Sequence, residues 1–218
     1  MFATRRLAPL SGLAGILCVV VGLAMDAAPT SSWSDAQITR WYADHGLAHW
    51  FVSAYVLALG APLLLGFVAV ARERMADAGV GNAARTLVLG SGLAFSVTVL
   101  VGAGLYAAVP AAMTFSKAPD PSADISRYML GASYGVLVMF SAFAAALFAG
   151  TLSVTSLRSG VLPKSLAVIG LPASVLMLAN AVMPMAVITL WFGATSIALT
   201  LRSRTSDVRA EVLQPATA

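Results

Sequence analysis

The chain has 218 residues, of which 59% are hydrophobic and only 10% are charged, with a formal net charge of +4. Soluble domains carry about 25% charged residues, so this composition excludes an ordinary water-soluble domain. The positive residues are expected at helix ends rather than on one face, so no nucleic-acid partner is predicted. A single cysteine, Cys18, excludes an intramolecular disulfide framework.

Long uncharged runs predict six transmembrane helices, because about 20 apolar residues cross a bilayer core of about 30 Å. In chain order these are Leu7–Met25, Leu47–Val70, Thr86–Ala108, Tyr128–Val154, Leu166–Val182 and Ala186–Leu201. The predicted fold class is therefore all-α, a polytopic membrane bundle of six transmembrane helices. Residues 1–202 form the predicted membrane domain, and residues 203–218 a cytoplasmic disordered tail. Pro62 and Pro172 lie inside predicted helices and are expected to kink them.

The first apolar run follows Arg5 and Arg6, a pattern that also begins signal peptides. Asp26 disrupts the small-residue cleavage pattern, and the run is long for a signal core. We therefore expect this helix to be retained as a span. Ten of the Lys and Arg residues fall on one side of the predicted topology and three, Arg40, Lys117 and Arg127, on the other. The positive-inside rule then predicts a multi-pass protein of the bacterial cell (inner) membrane with both termini cytoplasmic.

The segment between the first two spans predicts a short interfacial helix over residues 35–45 on the outer face. Ser34 or Asp35 is a suitable N-cap. Three tryptophans accompany this helix, at residue types and positions typical of the lipid headgroup region: Trp33, Trp41 and Trp50.

Glycines within the spans predict close helix packing, because small residues let helices approach one another in lipid. They are Gly12, Gly15, Gly90, Gly92, Gly102, Gly104, Gly131 and Gly135. A weak similarity between residues 63–92 and 146–171 is interpreted as shared topology rather than as a sequence repeat.

The sequence constrains function far less than fold. The middle of every predicted span lacks an ionisable residue, which disfavours an ion pathway. The leading hypothesis is a protein that binds or transports a small hydrophobic molecule, or an accessory protein. Tyr55 and Asn180 are candidate ligand contacts. The expected partners are the lipid bilayer and a hydrophobic ligand, and the oligomeric state is left open. A pocket with only apolar walls would favour this hypothesis.

The first alternative is an intramembrane enzyme that acts on a lipophilic substrate. Asp26, Asp44 and His49 are its candidate acid or base groups, facing outward. A pocket lined by Asp26, His49 and Tyr55 would favour it.

The second alternative is an outer-face metal site. His45 and His49 are four residues apart and share one face of a continuous helix, as two ligands of copper or zinc would. Methionines at the same end favour copper. Histidines at a headgroup boundary are more commonly polar anchors, and Gly46 between them weakens a continuous helix. No cofactor is therefore predicted, and the metal stays an alternative.

The connector Arg158–Gly170 carries the pattern R-S-x-x-L-P-x-x-L-x-x-x-G, and Leu190–Phe192 reads Leu-Trp-Phe. Over the final third of the chain these stretches resemble a broad group of uncharacterised bacterial six-helix integral membrane proteins, of a type often seen in actinobacteria. The resemblance implies a six-helix fold and no particular activity. Because Asp44, His45 and His49 lie outside it, it assigns no site residue.

Overall fold

A computed structural model describes residues 8–25, 32–44, 47–179 and 184–213, with side chains throughout except at Ala43, Pro184 and 203–213. Within these ranges the chain is all-α, as predicted, and has no strand. Its helices are α1 (Leu10–Ala24), α2 (Asp35–Asp44), α3 (Ala48–Asp77), α4 (Asn82–Phe115), α5 (Ala123–Ser159), α6 (Lys164–Leu178) and α7 (Pro184–Leu213).

Four helices are long and apolar enough to cross a membrane: α3, α4, α5 and the Met185–Arg202 part of α7. The other two apolar helices, α1 and α6, have 15 residues each. Fifteen residues span only about 22 Å, which is less than the bilayer core. Six apolar helices are therefore present in the described chain, whereas six crossings stay a prediction.

Several helices are longer than predicted. α4 continues through Pro110 to Phe115, and α5 begins at Ala123, where Ser122 Oγ accepts a hydrogen bond from the Ile125 N–H at 3.3 Å. The predicted ends at Ala108 and Tyr128 are wrong because uncharged runs mark only the apolar part of a helix. α7 also passes the predicted domain boundary at residue 202, and disorder of the tail stays a prediction.

Neighbouring helices form antiparallel hairpins: α1 packs on α3, α4 on α5 and α6 on α7, with α3–α4 and α5–α6 contacts joining the hairpins. α7 also packs on α1. We call the end of the bundle that carries α2 and loop 116–122 the α2 end. The opposite end, with loops 78–81 and 160–163, is the basic end.

α1 and α3 approach closely because glycines of α1 face large side chains of α3. The pairs are Gly12 with Phe67, Gly15 with Leu64 and Gly22 with Leu57. Ser53 Oγ also donates a hydrogen bond to the Gly22 carbonyl at 2.7 Å. A hydroxyl that bonds a neighbouring helix in this way ties the two helices together in an apolar environment.

The second hairpin repeats these contacts. Each of Gly22, Ser53 and Leu57 has a counterpart 80 residues later, namely Gly102, Ser133 and Leu137. Ser133 Oγ donates to the Gly102 carbonyl at 2.9 Å, and Leu137 packs on Gly102. The tetrapeptide Ser-Gly-Leu-Ala recurs in the same register, at residues 11–14 and 91–94. This shared register of sequence and contacts indicates an internal repeat of the hairpin.

For half of these glycines the predicted close packing against a neighbouring helix is wrong. A Cβ at Gly90, Gly104, Gly131 or Gly135 would meet no atom of the described chain within 4 Å. Residues two apart on a helix point in nearly opposite directions, so only one glycine in each of the pairs 90/92 and 102/104 faces a neighbouring helix. Glycine content alone does not reveal which one.

We predict that Gly102→Ala lowers the free energy of unfolding by about 1–3 kcal/mol through overpacking. A Cβ there would lie 2.7 Å from Leu137 Cδ2 and 3.3 Å from the Leu137 backbone nitrogen. Gly90→Ala, in the same helix but in open space, is the matched control and should leave stability equal or slightly higher. Thermal unfolding in detergent measures both, and equal Tm values would contradict the prediction.

Candidate functional site

α2 is confirmed as a short helix and begins with a capping box. The Ser34 N–H donates to Gln37 Oε1 at 2.8 Å, and the Gln37 N–H donates to Ser34 Oγ at 3.4 Å. Ser34 is therefore the cap, and Asp35 is the first helical residue. The interfacial position of α2 stays a prediction.

Arg127 of α5 fastens the start of α2 to the bundle. Its Nη2 donates to the Trp33 carbonyl at 2.8 Å and to Asp35 Oδ1 at 2.7 Å. Its Nη1 donates to Asp124 Oδ1 at 3.4 Å. The side chains of Asp35 and Asp124 are largely exposed, so these ion pairs contribute little energy individually. Together with the carbonyl contact they define where α2 lies.

Four aromatic rings, two of them from α2, pack against one another at the α2 end. Trp50 contacts Trp41 edge-to-face at a centroid distance of 5.6 Å and Tyr106 at 5.7 Å, and Tyr42 lies 6.1 Å away. Trp41 is 7% exposed and Trp50 is 1% exposed. The interpretation of these two tryptophans as headgroup anchors is therefore wrong. Their rings are buried against one another, in the edge-to-face geometry that aromatic side chains favour.

Tyr42 connects this cluster to α5. The Ser126 hydroxyl donates to the Tyr42 hydroxyl at 2.9 Å, and Tyr42 is 5% exposed. Burial raises the pKa of Tyr42 above its ordinary value of 10.0, the Ser126 hydrogen bond partly opposes this, and the negative charge of Asp120 adds to it. The neutral phenol is therefore the form that the folded state favours.

The predicted polar site is only partly within the described chain. Asp26, His45 and Asn180 lie outside the described residues. His49 is exposed on the first turn of α3, and Asp44 is exposed at the last residue of α2, where it borders a small surface cavity with Trp41. In the described ranges, no three His, Cys, Asp or Glu residues lie together as metal ligands would. The catalytic and metal hypotheses therefore stay predictions.

Tyr55 instead borders an apolar groove of about 480 Å³ between α3 and α4. Its walls include Phe51, Tyr55, Ala58, Leu100, Gly104 and Ala107. Tyr55 is 67% exposed and provides the phenol hydroxyl of this wall. Neither Pro62 nor Pro172, the two predicted kink sites, is a lining residue of this groove.

The groove exists because small residues of α4 face small residues of α3. Ala103, Gly104 and Ala107 recur at helical spacing opposite Ala54 and Ala58. The sequence contains this signal, but the same spacing also suits a tight packing seam. Only the position of the partner helix distinguishes a seam from a groove.

Comparison of the chain with protein-family models, with curated proteins and with solved structures gives no match. The similarity of its last third to bacterial six-helix membrane proteins therefore stays a resemblance. A functional interpretation has to come from the chain's own residues and their geometry.

Tyr42 should make the α2 end sensitive to alkaline pH. Its folded-state pKa is raised, so its contribution to stability is complete below about pH 10 and is lost as pH rises through the higher folded value. We expect Tm to fall more steeply above pH 10 in the wild type than in Tyr42→Phe. Tyr128→Phe, which removes an exposed tyrosine, is the control and should behave as the wild type does. Identical pH profiles for all three proteins would refute the prediction.

Proposed function

We propose that this chain is a six-span integral membrane protein of the bacterial cytoplasmic membrane that binds a small hydrophobic molecule in the α3–α4 groove. The two short apolar helices support six crossings, because α1 packs along α3 and α7, and α6 packs along α5 and α7. Their outward surfaces are apolar as well: Leu17 and Val21 on α1 and Val175 on α6 are exposed. Such surfaces suit lipid rather than water.

The distribution of charge supports a cytoplasmic basic end. The basic end carries Arg72, Arg74, Arg85, Arg158, Lys164 and Arg202, whereas the described α2 end carries Arg40, Lys117 and Arg127. Exposed aromatic side chains at the α2 end, Tyr55, Phe115 and Tyr128, suit the opposite headgroup region. Both termini are then cytoplasmic.

The connector that resembles the six-helix group has a clear structural role at the basic end. Gly160 ends α5 with a left-handed backbone (φ 71°), and Pro163 precedes α6. Arg202 Nη1 donates to the carbonyls of Gly160 and Val161. These contacts hold α7 against the α5–α6 turn, and membership of the group is proposed on the sequence pattern alone.

Topology is tested with reporter fusions in the described turns and in α7. A fluorescent-protein reporter should be active after Gly79, Gly160 and Arg204, because these positions are expected on the cytoplasmic side. A phosphatase reporter should be active after Lys117, because this position is expected on the opposite side of the membrane. If the reporter after Gly160 is cytoplasmic, phosphatase activity after Arg204 would mean that α6 or α7 does not cross. Protection of an N-terminal tag from external protease tests α1 in the same way.

The observation that carries the binding proposal is the apolar groove itself. Its volume lies within the usual range of ligand sites, about 300–1,000 Å³, and its walls are hydrocarbon apart from the phenol of Tyr55. A hydrocarbon chain or a flat apolar molecule fits such walls. Asp44 and His49 do not line the groove, so binding is favoured over catalysis.

Filling the groove should abolish binding. Gly104→Phe adds a large ring where a Cβ meets no described atom within 4 Å, so the ring occupies the groove without displacing the backbone. The probe is a diazirine-bearing fatty acid, photolysed with the protein in nanodiscs and located by peptide mass spectrometry. We expect the wild type to be labelled mainly at residues 51–58 and 100–107, and Gly104→Phe to lose most of that label.

Gly90→Phe is the matched control, because it adds the same ring to an open position of the same helix outside the groove. It should leave the labelling pattern unchanged. Labels spread evenly over the exposed apolar surface of the wild type, or retained at the groove in Gly104→Phe, would exclude the groove as a specific site.

A further inference from the structure

A second cavity, which we call the loop cavity, lies at the α2 end between the last turns of α4, loop 116–122 and the start of α5. It has a volume of about 410 Å³ and shares no lining residue with the α3–α4 groove. Its larger lining side chains are Val109, Met113, Pro119, Pro121, Ile125 and Met129. The cavity is thus apolar over most of its wall.

Asp120 is the ionisable residue of this wall. It lies between Pro119 and Pro121, whose rings fix their backbone φ angles and stiffen the loop. Ser122, the other polar lining residue, already accepts the Ile125 N–H as the N-cap of α5. The loop therefore presents a carboxylate at a stiffened position beside apolar walls.

The Asp120 carboxylate forms no ion pair or hydrogen bond with any residue in the described ranges. The contrast with its acidic neighbours is direct, because Asp35 and Asp124 both bind Arg127. Lys117, three residues before Asp120, is exposed and makes no ion pair with it. Asp120 is itself exposed, so water solvates its charge, and no cation of the described protein pairs with it.

An apolar cavity with one free carboxylate matches a ligand that has an apolar body and one positive charge. A neutral hydrocarbon would gain nothing from the exposed carboxylate, and an anion would be repelled. A bare metal ion would find a single carboxylate. Met113 and Met129 add flexible, polarisable walls that adapt to ligands of different shape.

We propose that the loop cavity binds a small organic cation, an amine or quaternary ammonium with an apolar body, through Asp120. Residues 118–122 of the loop line this cavity, so the site lies at the α2 end of the bundle. This site is separate from the α3–α4 groove, and either can fail without the other.

The test compares two probes of equal shape and different charge, benzyltrimethylammonium and its uncharged carbon analogue neopentylbenzene. Binding of each to purified protein in nanodiscs is measured by equilibrium dialysis and corrected with empty nanodiscs. We expect Asp120→Asn to lower the affinity for benzyltrimethylammonium at least about threefold, which is the scale of one exposed charge pair. It should leave neopentylbenzene unchanged.

Asp124→Asn is the charge-matched control, because it removes a carboxylate of the same surface that does not line the cavity. Ala112→Phe fills the cavity and should weaken both probes, whereas Asp120→Glu keeps the charge and should retain cation binding. The Tm of each variant identifies loss of fold, and if Asp120→Asn does not fold, Ala112→Phe and Asp120→Glu decide the question. Equal effects of Asp120→Asn and Asp124→Asn on the cation, or no effect of either, would overturn the proposal.

Discussion

The close contact of glycine with leucine, at Gly22 against Leu57 and at Gly102 against Leu137, sets the helix spacing on which the other features depend. Burial of apolar surface provides little drive for association in lipid, so packing and interhelical hydrogen bonds decide which helices meet. α3 and α4 then meet tightly near the basic end, where Gly92 would place a Cβ only 2.6 Å from Val68 Cγ1. Towards the α2 end the facing residues are small on both helices, and the same pair leaves a groove.

The sequence predicts the apolar helices and their number well, because a long apolar run favours lipid and a charged connection favours water. It predicts contacts poorly. Trp50 begins an apolar helix, a position equally suited to a headgroup anchor and to a buried ring. Its burial depends on Tyr106, which follows 56 residues later in the chain. Gly90 and Gly92 differ in the same way, since only the placement of α3 gives one of them a neighbour.

The candidate site shows the same limit in another form. Side chains with obvious chemistry, such as Asp44 and His49, attract attention in a sequence, whereas a cavity is made by side chains that are too small to fill it. Tyr55 is a predicted ligand contact and does border a groove, but the spacing of the small residues opposite it also suits a tight packing seam. Asp120 is not among the predicted site residues, because a carboxylate between two prolines is typical of a solvated loop. Its significance comes from the apolar wall beside it and from the pairing of its acidic neighbours with Arg127.

The hairpin repeat has a mechanical consequence. The α3–α4 groove does not lie inside either hairpin. It lies along the junction between them, with α3 of the first hairpin on one side and α4 of the second on the other. If each hairpin moves as a rigid unit, the width of the groove is set by the angle between the two units. Arg127 joins α5 of the second hairpin to the α2 segment of the first. That side chain is therefore a tether across the junction, at the same end of the bundle as the groove.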